Sequence, residues 1–182
     1  MAKSKSAYST PSKAGKIDTH IIVVWVDNEA SVLSRVVGLF SGRGYNIESL
    51  AVAEVDQKNN LSRITIVTVG TPRVIEQIVL QLKKLVPVHK VGNFKRDDKN
   101  VIFKEMAVLK IAANPSKIMK ALNICKKYNP VILDQTNKSV VIQITALRKE
   151  IDTVTKNLKS FGLVSASRTG AVAMTRGAEI FN

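Results

Sequence analysis

Cysteine, histidine and aromatic residues are scarce in this chain of 182 residues. A single cysteine, Cys125, excludes an internal disulfide and a cysteine-based metal cluster. Aromatic side chains make up 5% of the residues, so few are left to stack against the bases of single-stranded nucleic acid. The hydrophobic share of 45% is nevertheless enough for a packed, mostly aliphatic core.

Acidic residues are also few, with 14 Asp and Glu against 28 Lys and Arg and a net charge of +14. The lysines are spread over solvent-facing helix positions, which favours a solvated surface over a nucleic-acid interface. No apolar run approaches the ~18 residues of a membrane span, and no apolar signal-peptide core follows Met1. We therefore expect no nucleic-acid partner, no membrane contact and a cytoplasmic location, with the plastid stroma as the alternative.

Residues 1–17 contain several serines, four lysines and no acidic residue. This composition predicts a basic, disordered extension of a cytoplasmic protein. The alternative is the remainder of a targeting segment.

A strand and a helix are predicted after this extension. The continuous apolar run from His20 to Val26 is rich in β-branched residues, which predicts a strand covered on both faces. Asn28 is the expected N-cap of the helix, and Gly42 and Gly44 are expected to end it. Four apolar residues at helical spacing form its predicted buried stripe: Leu33, Val36, Val37 and Phe40.

The following residues predict a hairpin, a second helix and a fourth strand. Extended segments 46–55 and 61–69 flank a polar turn. Thr71 and Pro72 are the expected cap and first residue of the second helix, and residues 86–91 form a last strand. The order β-α-β-β-α-β is a split βαβ unit, with two helices on one face of an antiparallel sheet.

The same order is predicted a second time, with a helix that opens at Asn114-Pro115 or Ser116 and a short last strand over residues 163–167. The fold class is therefore α+β, with two tandem ferredoxin-like βαββαβ domains. The expected divisions are an extension, a first domain, a charged linker and a second domain at residues 1–17, 18–93, 94–100 and 101–182.

The corner between the first strand and the first helix is the best candidate for ligand binding. The first ~four amides of a helix have no intrahelical partner, and with the helix dipole they favour an anion such as a carboxylate. Asn28 adds donors and an acceptor, and Asn46, at the start of the neighbouring strand, is expected to face the same space. These groups suit an amino acid or another small zwitterion. The alternative is that Asn28 is only a cap and Asn46 only a turn residue.

No group of residues predicts an active site. His20 and His89 have no third ligand at metal spacing, so we expect structural or surface roles for both. Cys125 lies on an apolar helix face and is expected to be a core thiol. The sequence therefore predicts a binding protein with no catalytic residues and no metal site.

Two stretches of the first half resemble the regulatory small subunits of acetolactate synthase (acetohydroxyacid synthase). They are Asn28 to Leu50, which includes Gly-Leu-Phe-Ser-Gly-Arg-Gly-Tyr-Asn-Ile-Glu-Ser-Leu, and Leu61-Ser62-Arg63-Ile64-Thr65 with the following residues 67–70. The C-terminal Arg168-Thr169-Gly170 and Arg176-Gly177 are also similar to this family. The similarity is dense over about residues 18–95 and thinner towards the end.

The resemblance implies an N-terminal ACT domain, a C-terminal ferredoxin-like domain, and a homodimer in which the two ACT sheets join edge to edge. Branched-chain amino acids, chiefly valine, would bind at that interface. The partner would be the catalytic large subunit, which carries thiamine diphosphate, magnesium and FAD; this chain would carry none of them. The family's effector contacts map onto six positions: Asn28, Ser31, Val32 and Leu33, with Asn46 and Ile47 across the interface.

The function that the resemblance implies is activation of the large subunit and feedback inhibition by valine. The alternatives are a free-standing amino-acid sensor with another target and an RNA-binding protein. The last is disfavoured because the predicted strands offer Ile, Val and Thr where RNA-binding sheets display aromatics. The family usually has glycine where this chain has Ser31. Glycine lets a ligand approach the backbone closely, so we expect weaker or altered inhibition by valine, with activation retained.

Overall fold

The structure, a computed structural model, describes residues 15–178 of the chain. Most of the predicted basic extension, residues 1–14, and the last four residues of the predicted second domain lie outside the described residues. Two four-stranded antiparallel sheets form the framework, and each carries two helices on one face.

The N-terminal domain has strands β1 to β4 in the sheet order β2-β3-β1-β4, with α1 after β1 and α2 after β3. The C-terminal domain repeats this plan with β5 to β8 in the order β6-β7-β5-β8, and with α3 and α4. This confirms the predicted pair of βαββαβ units. The elements are β1 Asp18–Asp27, α1 Val32–Ser41, β2 Ser49–Asp56, β3 Leu61–Gly70, α2 Pro72–Leu82, β4 Val88–Lys95, β5 Val101–Ala112, α3 Pro115–Cys125, β6 Val131–Gln135, β7 Ser139–Ala146, α4 Arg148–Leu158 and β8 Leu163–Thr175.

Two of the predicted helix starts are confirmed with their caps. The Thr71 hydroxyl accepts a hydrogen bond from Val74 N at 3.5 Å, and Pro72 is the first residue of α2. The Asn114 side chain accepts from Lys117 N at 2.9 Å at the start of α3. In both helices the cap satisfies a backbone amide that has no intrahelical partner.

The start of α1 differs from the prediction. Its N-cap is Ser31 rather than Asn28, and the helix faces the core with a different set of residues from the predicted stripe. Leu33 is consequently 41% exposed and Val37 is half-buried. The residues of α1 that enter the core are Val32, Val36, Leu39 and Phe40.

Two strands are longer than the sequence pattern predicted. β4 continues to Lys95, which pairs with His20, so residues 94 and 95 of the predicted linker belong to the sheet. β8 has 13 residues rather than the five predicted, and it pairs with the whole length of β5. Both extensions add residues with weak strand patterns, held in place by a neighbouring strand.

The length of β5 serves to join the two domains. Alternate residues of this strand are buried along its whole length. Ala107, Leu109 and Ile111 form the core under α3 and α4, whereas Val101 and Phe103 pack against the helix-free face of the N-terminal sheet. This interdomain cluster contains seven buried residues: Ile21, Val23, Val67, Val101, Phe103, Ala171 and Ala173.

Polar contacts reinforce the interdomain cluster. Arg63 Nη2 donates to the Ala173 carbonyl at 2.6 Å, and burial lowers the pKa of this guanidinium. Gly170, with φ +81, passes so close to β2 that an added Cβ would lie 2.7 Å from Ser49 Oγ. The positive φ and the close approach together require glycine here, which gives the Arg168-Thr169-Gly170 motif a structural role.

Candidate effector site

Asn28 is held by the turn between β2 and β3 and by the first residues of β3. Its backbone N donates to the Asn60 carbonyl at 2.7 Å, and its side-chain oxygen accepts from Ser62 Oγ at 3.0 Å. The predicted capping role is therefore wrong: the oxygen is engaged by β3 and not by the helix. Asn28 is exposed, and its side-chain NH₂ group can still donate hydrogen bonds to another molecule.

Ser31 adopts a left-handed backbone conformation, with φ 72° and ψ −7°. Its side chain makes no capping hydrogen bond, and the first helical bond runs from Arg35 N to the Ser31 carbonyl at 3.0 Å. The amides of Leu33 and Ser34, inside the first turn, therefore lack intrahelical acceptors. Val32 is 4% exposed, and its backbone N donates to the Glu29 carbonyl at 3.4 Å.

Asn46 and Ile47 lie in the loop between α1 and β2, three and two residues before the strand, which begins at Ser49. The Asn46 carbonyl accepts from Thr68 Oγ1 at 2.7 Å. Ile47 is half-buried against the N-terminal core. The exposed Asn46 side chain is available for contact with another molecule.

The two groups of predicted contacts lie apart in a single protomer. Asn28 is bonded to Ser62, near the start of β3, and Asn46 is bonded to Thr68, near its end. At about 3.4 Å per residue the two positions on the strand are roughly 20 Å apart. Within one protomer, Asn46 therefore does not face the same space as Asn28.

The sequence interpretation missed the hydroxyl residues that fix both groups. Ser62 and Thr68 on β3 are 5% and 1% exposed. A buried hydroxyl almost always has a hydrogen-bond partner, so these two residues were a usable signal. The turn before β3 is fixed as well, because Asn59 donates to Asp56 and lowers the pKa of that carboxyl.

The structure has two cavities within residues 15–178. One of about 480 Å³ lies at the Asn28 end of the N-terminal sheet and is lined by residues that include Trp25, Asp56 and His89. The other, of about 740 Å³, is a cleft between the two domains, with Glu48 on one wall and Arg148 on the other. Neither is lined by any of the six predicted contact residues.

The remaining chemically interesting residues have structural environments. His20 is 5% exposed, and its Nδ1 lies 2.8 Å from Asn93 Oδ1. Cys125 is fully buried, and burial raises the pKa of its thiol to about 11. Over residues 15–178, no three His, Cys, Asp or Glu residues are grouped so as to hold a metal ion. The helices of this same region are all too short or too polar to cross a membrane.

Comparison with known proteins agrees with this architecture. Residues 22–90 match the family described as the AHAS small subunit-like ACT domain, and residues 104–177 match the small subunit of acetolactate synthase. The chain is 36% identical over 165 residues to the acetolactate synthase small subunit of Aquifex aeolicus, with 90% of this chain and 84% of that protein covered.

A plant protein and a solved structure are similar over the same region. The chloroplastic acetolactate synthase small subunit 2 of Arabidopsis thaliana is 34% identical over 91% of this chain, which spans 34% of that longer protein. The crystal structure of the acetolactate synthase small subunit from Thermotoga maritima superimposes with a TM-score of 0.79 at 31% identity, covering 88% of this chain and 99% of that one. With both domains matched in sequence and in fold, this chain belongs to the family of acetolactate synthase small subunits.

Proposed function

We propose that this chain is the regulatory subunit of acetolactate synthase, which activates the catalytic large subunit and mediates feedback inhibition by valine. The match of both domains to acetolactate synthase small subunits supports the regulatory role, and the separation of the two contact groups along β3, beside the edge strand β2, carries the proposal of a shared effector site. Such an arrangement supports an effector site that two copies of the chain form together.

Strand β2 supports this assembly because it is an edge strand of the N-terminal sheet. The outer edge of such a strand presents unpaired backbone N–H and C=O groups. Val52 and Val55 on β2 are 45% and 47% exposed. Pairing of β2 with β2 of a second copy would satisfy these backbone groups and extend the sheet across the dimer.

Antiparallel pairing of the two β2 strands brings the separated groups together. The start of one strand then lies beside the end of the other. Ile47 precedes the start of β2, and the end of β2 leads through the turn to Asn60, which contacts Asn28. Asn46 and Ile47 of the second copy therefore come next to Asn28 and the start of α1, and two equivalent sites form.

The assembled groups match the chemistry of a branched-chain amino acid. The amides of Leu33 and Ser34 and the positive end of the α1 dipole suit the carboxylate. The amide side chains of Asn28 and Asn46 offer hydrogen bonds to the carboxylate and the ammonium. Ile47 and the exposed Leu33 side chain provide apolar surface for a short aliphatic side chain.

Regulation then follows from linkage. Valine inhibits if it binds more tightly to the less active state of the complex, since a ligand shifts an equilibrium only by its differential affinity. We propose that the large subunit holds the thiamine diphosphate, magnesium and FAD, and that this chain contributes no catalytic residue. The cytoplasmic location, with the plastid stroma as alternative, stays a prediction.

Mixing two defective variants tests the shared site. Asn28→Ala and Asn46→Ala each remove one half of every site, so each homodimer is expected to lose valine binding in calorimetry and inhibition in an acetolactate synthesis assay with the large subunit. After dissociation and random reassociation of an equal mixture, each heterodimer has one intact site. About a quarter of all sites is then restored. Asn123→Ala, on the exposed surface of α3, is the matched control.

No recovery of binding in the mixture would show that both asparagines serve one protomer's own site, or no site. A large subunit whose activity is the same with and without the wild-type chain would contradict the regulatory role. Valine binding without any effect on the large subunit would instead support the free-standing sensor.

A further inference from the structure

Arg148 bridges the cleft between the two domains. It is the first residue of α4, and its Nη2 lies 3.2 Å from the Glu48 carbonyl oxygen and 3.7 Å from Glu48 Oε2. Glu48 directly follows Asn46 and Ile47 in the sequence. A side chain of the C-terminal domain therefore holds the loop that carries one half of the proposed effector site.

This loop, residues 46–48, has anchors in both domains. Within the N-terminal domain, Thr68 donates to the Asn46 carbonyl, and Glu48 N donates to the Val67 carbonyl at 2.8 Å. From the C-terminal domain come the Arg148 bond and, at the next residue, a bond from Ala171 N to Ser49 Oγ at 3.4 Å. Because a loop has few bonds of its own, the two external anchors restrict its conformation substantially.

The helix that carries Arg148 is itself fixed. Glu150 accepts from Leu147 N at 3.0 Å and caps the first turn of α4. Asp152, four residues after Arg148, accepts from Arg168 Nη1 at 2.6 Å. The same guanidinium binds the buried Glu105 on β5. The backbone of Arg148 therefore shifts towards or away from the loop only if α4 moves on its sheet.

Other cations near the cleft do not make this contact. Lys149, the next residue of α4, also lines the cleft but is exposed and has no ion-pair partner in the described part of the chain. Arg148 and Glu48 have side chains 30% and 34% exposed. A single guanidinium nitrogen, Arg148 Nη2, donates to the Glu48 carbonyl and pairs with the Glu48 carboxylate.

We propose that Arg148 is a positioning residue for the effector site, through which the C-terminal domain sets the conformation of residues 46–48 and so the affinity for the effector. This inference rests on the proposed function, because it concerns the same site. By reciprocity, effector binding must change the seating of α4 against the N-terminal domain by the same coupling free energy.

The experiment compares Arg148→Gln with Lys149→Gln in the full chain. Both changes remove one positive charge from adjacent positions of α4, but only the first removes the contact with the loop. Calorimetric titration with valine, leucine and isoleucine is expected to show about three- to tenfold weaker binding for Arg148→Gln and wild-type binding for Lys149→Gln. Arg148→Lys keeps the positive charge but changes the reach and the geometry of the donor group, so it is expected to give an intermediate affinity.

Amide hydrogen exchange of residues 45–49 without effector provides an independent readout. Exchange is expected to quicken in Arg148→Gln and to stay unchanged in Lys149→Gln. Wild-type exchange of the loop in Arg148→Gln, or equal losses of affinity in the two glutamine variants, would overturn the positioning role. If the wild-type chain binds none of the three amino acids, the proposed effector function fails, and loop exchange alone decides whether Arg148 fixes the loop.

Discussion

The two domains share one order of strands and helices but cover their sheets differently. The N-terminal sheet has helices on one face and the extended β5 and β8 strands on the other. The second face of the C-terminal sheet carries apolar side chains that stay more than one third exposed: Ile102, Val172 and Met174. The N-terminal domain thus depends on its neighbour for part of its core, whereas the C-terminal core under α3 and α4 is made by that domain alone.

The domains also differ in their buried polar groups. The N-terminal sheet buries a histidine and hydroxyl residues, namely His20, Ser62, Thr65 and Thr68. The C-terminal domain buries a carboxylate, Glu105, which is 3% exposed and accepts two bonds from Arg168 at 2.6 and 3.0 Å. The bond to Glu105 raises the pKa of the Arg168 guanidinium. A buried charge of this kind is tolerated only while its partner is present.

The largest expected effect comes from removal of that partner. Arg168→Met leaves Glu105 buried and unpaired, and we expect the free energy of unfolding to fall by about 3–5 kcal/mol in urea denaturation. The matched control is Arg176→Met, since the Arg176 side chain is exposed and its change should cost less than about 0.5 kcal/mol. Addition of Glu105→Gln to Arg168→Met should recover part of the loss; equal stability of the single and double variants would contradict this explanation.

Shortening of Phe103 tests the dependence of the N-terminal domain on β5. Phe103→Ala opens a cavity in the interdomain cluster, and we expect a loss of about 3 kcal/mol, with earlier melting of the N-terminal domain in calorimetry. Ile102→Ala is the matched control because Ile102 is the adjacent residue on the exposed face. If the C-terminal domain melts first in Phe103→Ala, the proposed direction of dependence is reversed.

Gly170→Ala tests the contact between β8 and β2 at smaller scale. The added Cβ would lie 2.7 Å from Ser49 Oγ, and the alanine backbone would have to keep φ +81°. Strain and crowding together should cost about 2 kcal/mol. Gly177→Ala has a similar φ of +71 but nothing within 4 Å of the added Cβ, and about 1 kcal/mol is expected. The difference between the thermal denaturation midpoints of the two variants measures the cost of crowding against Ser49. Equal midpoints would show that β8 moves away from β2 at no cost.

Ser31→Gly is expected to have the smallest effect on stability. Glycine relieves about 1–2 kcal/mol of left-handed strain but loses about 0.5–1 kcal/mol through the greater freedom of the unfolded chain. The net result is a gain of about 0.5 kcal/mol in urea denaturation, with tighter binding of valine in calorimetry. Destabilisation by Ser31→Gly would mean that the serine makes a compensating contact. Unchanged valine affinity would show that the serine strains the backbone without hindering the approach of valine.

Local signals in the sequence were sufficient where a helix start depends on its own residues. Thr71-Pro72 and Asn114-Pro115 predicted the starts of α2 and α3 because cap and proline act within one turn. The start of α1 was misplaced because the side chain of Asn28 is engaged by Ser62, which lies far along the chain. A residue that can cap a helix serves equally well in a tertiary hydrogen bond, and the sequence does not show which partner wins.

The long β8 strand escaped prediction for a related reason. Residues 168–175 contain Arg168, Thr169 and Gly170, which interrupt any alternating apolar pattern. They stay extended because β5 supplies backbone partners, while Arg168 binds Glu105 and the backbone of Gly170 passes close to Ser49 on β2. Asn28 and Asn46 were predicted from the corner between strand and helix, and the family resemblance added the other four effector positions; the role of all six stays a prediction. The structure adds that one protomer holds the two groups at opposite ends of a strand.

That separation along β3 has a consequence for the response of the cell. The proposed effector site, which a second copy completes, would bind valine only where two chains have met. Its apparent affinity would then rise with the amount of the chain present and level off once every chain is paired, and the effector would in turn favour pairing. Cells that make little of this chain would respond less sharply to valine than cells that make more, with no change in any residue.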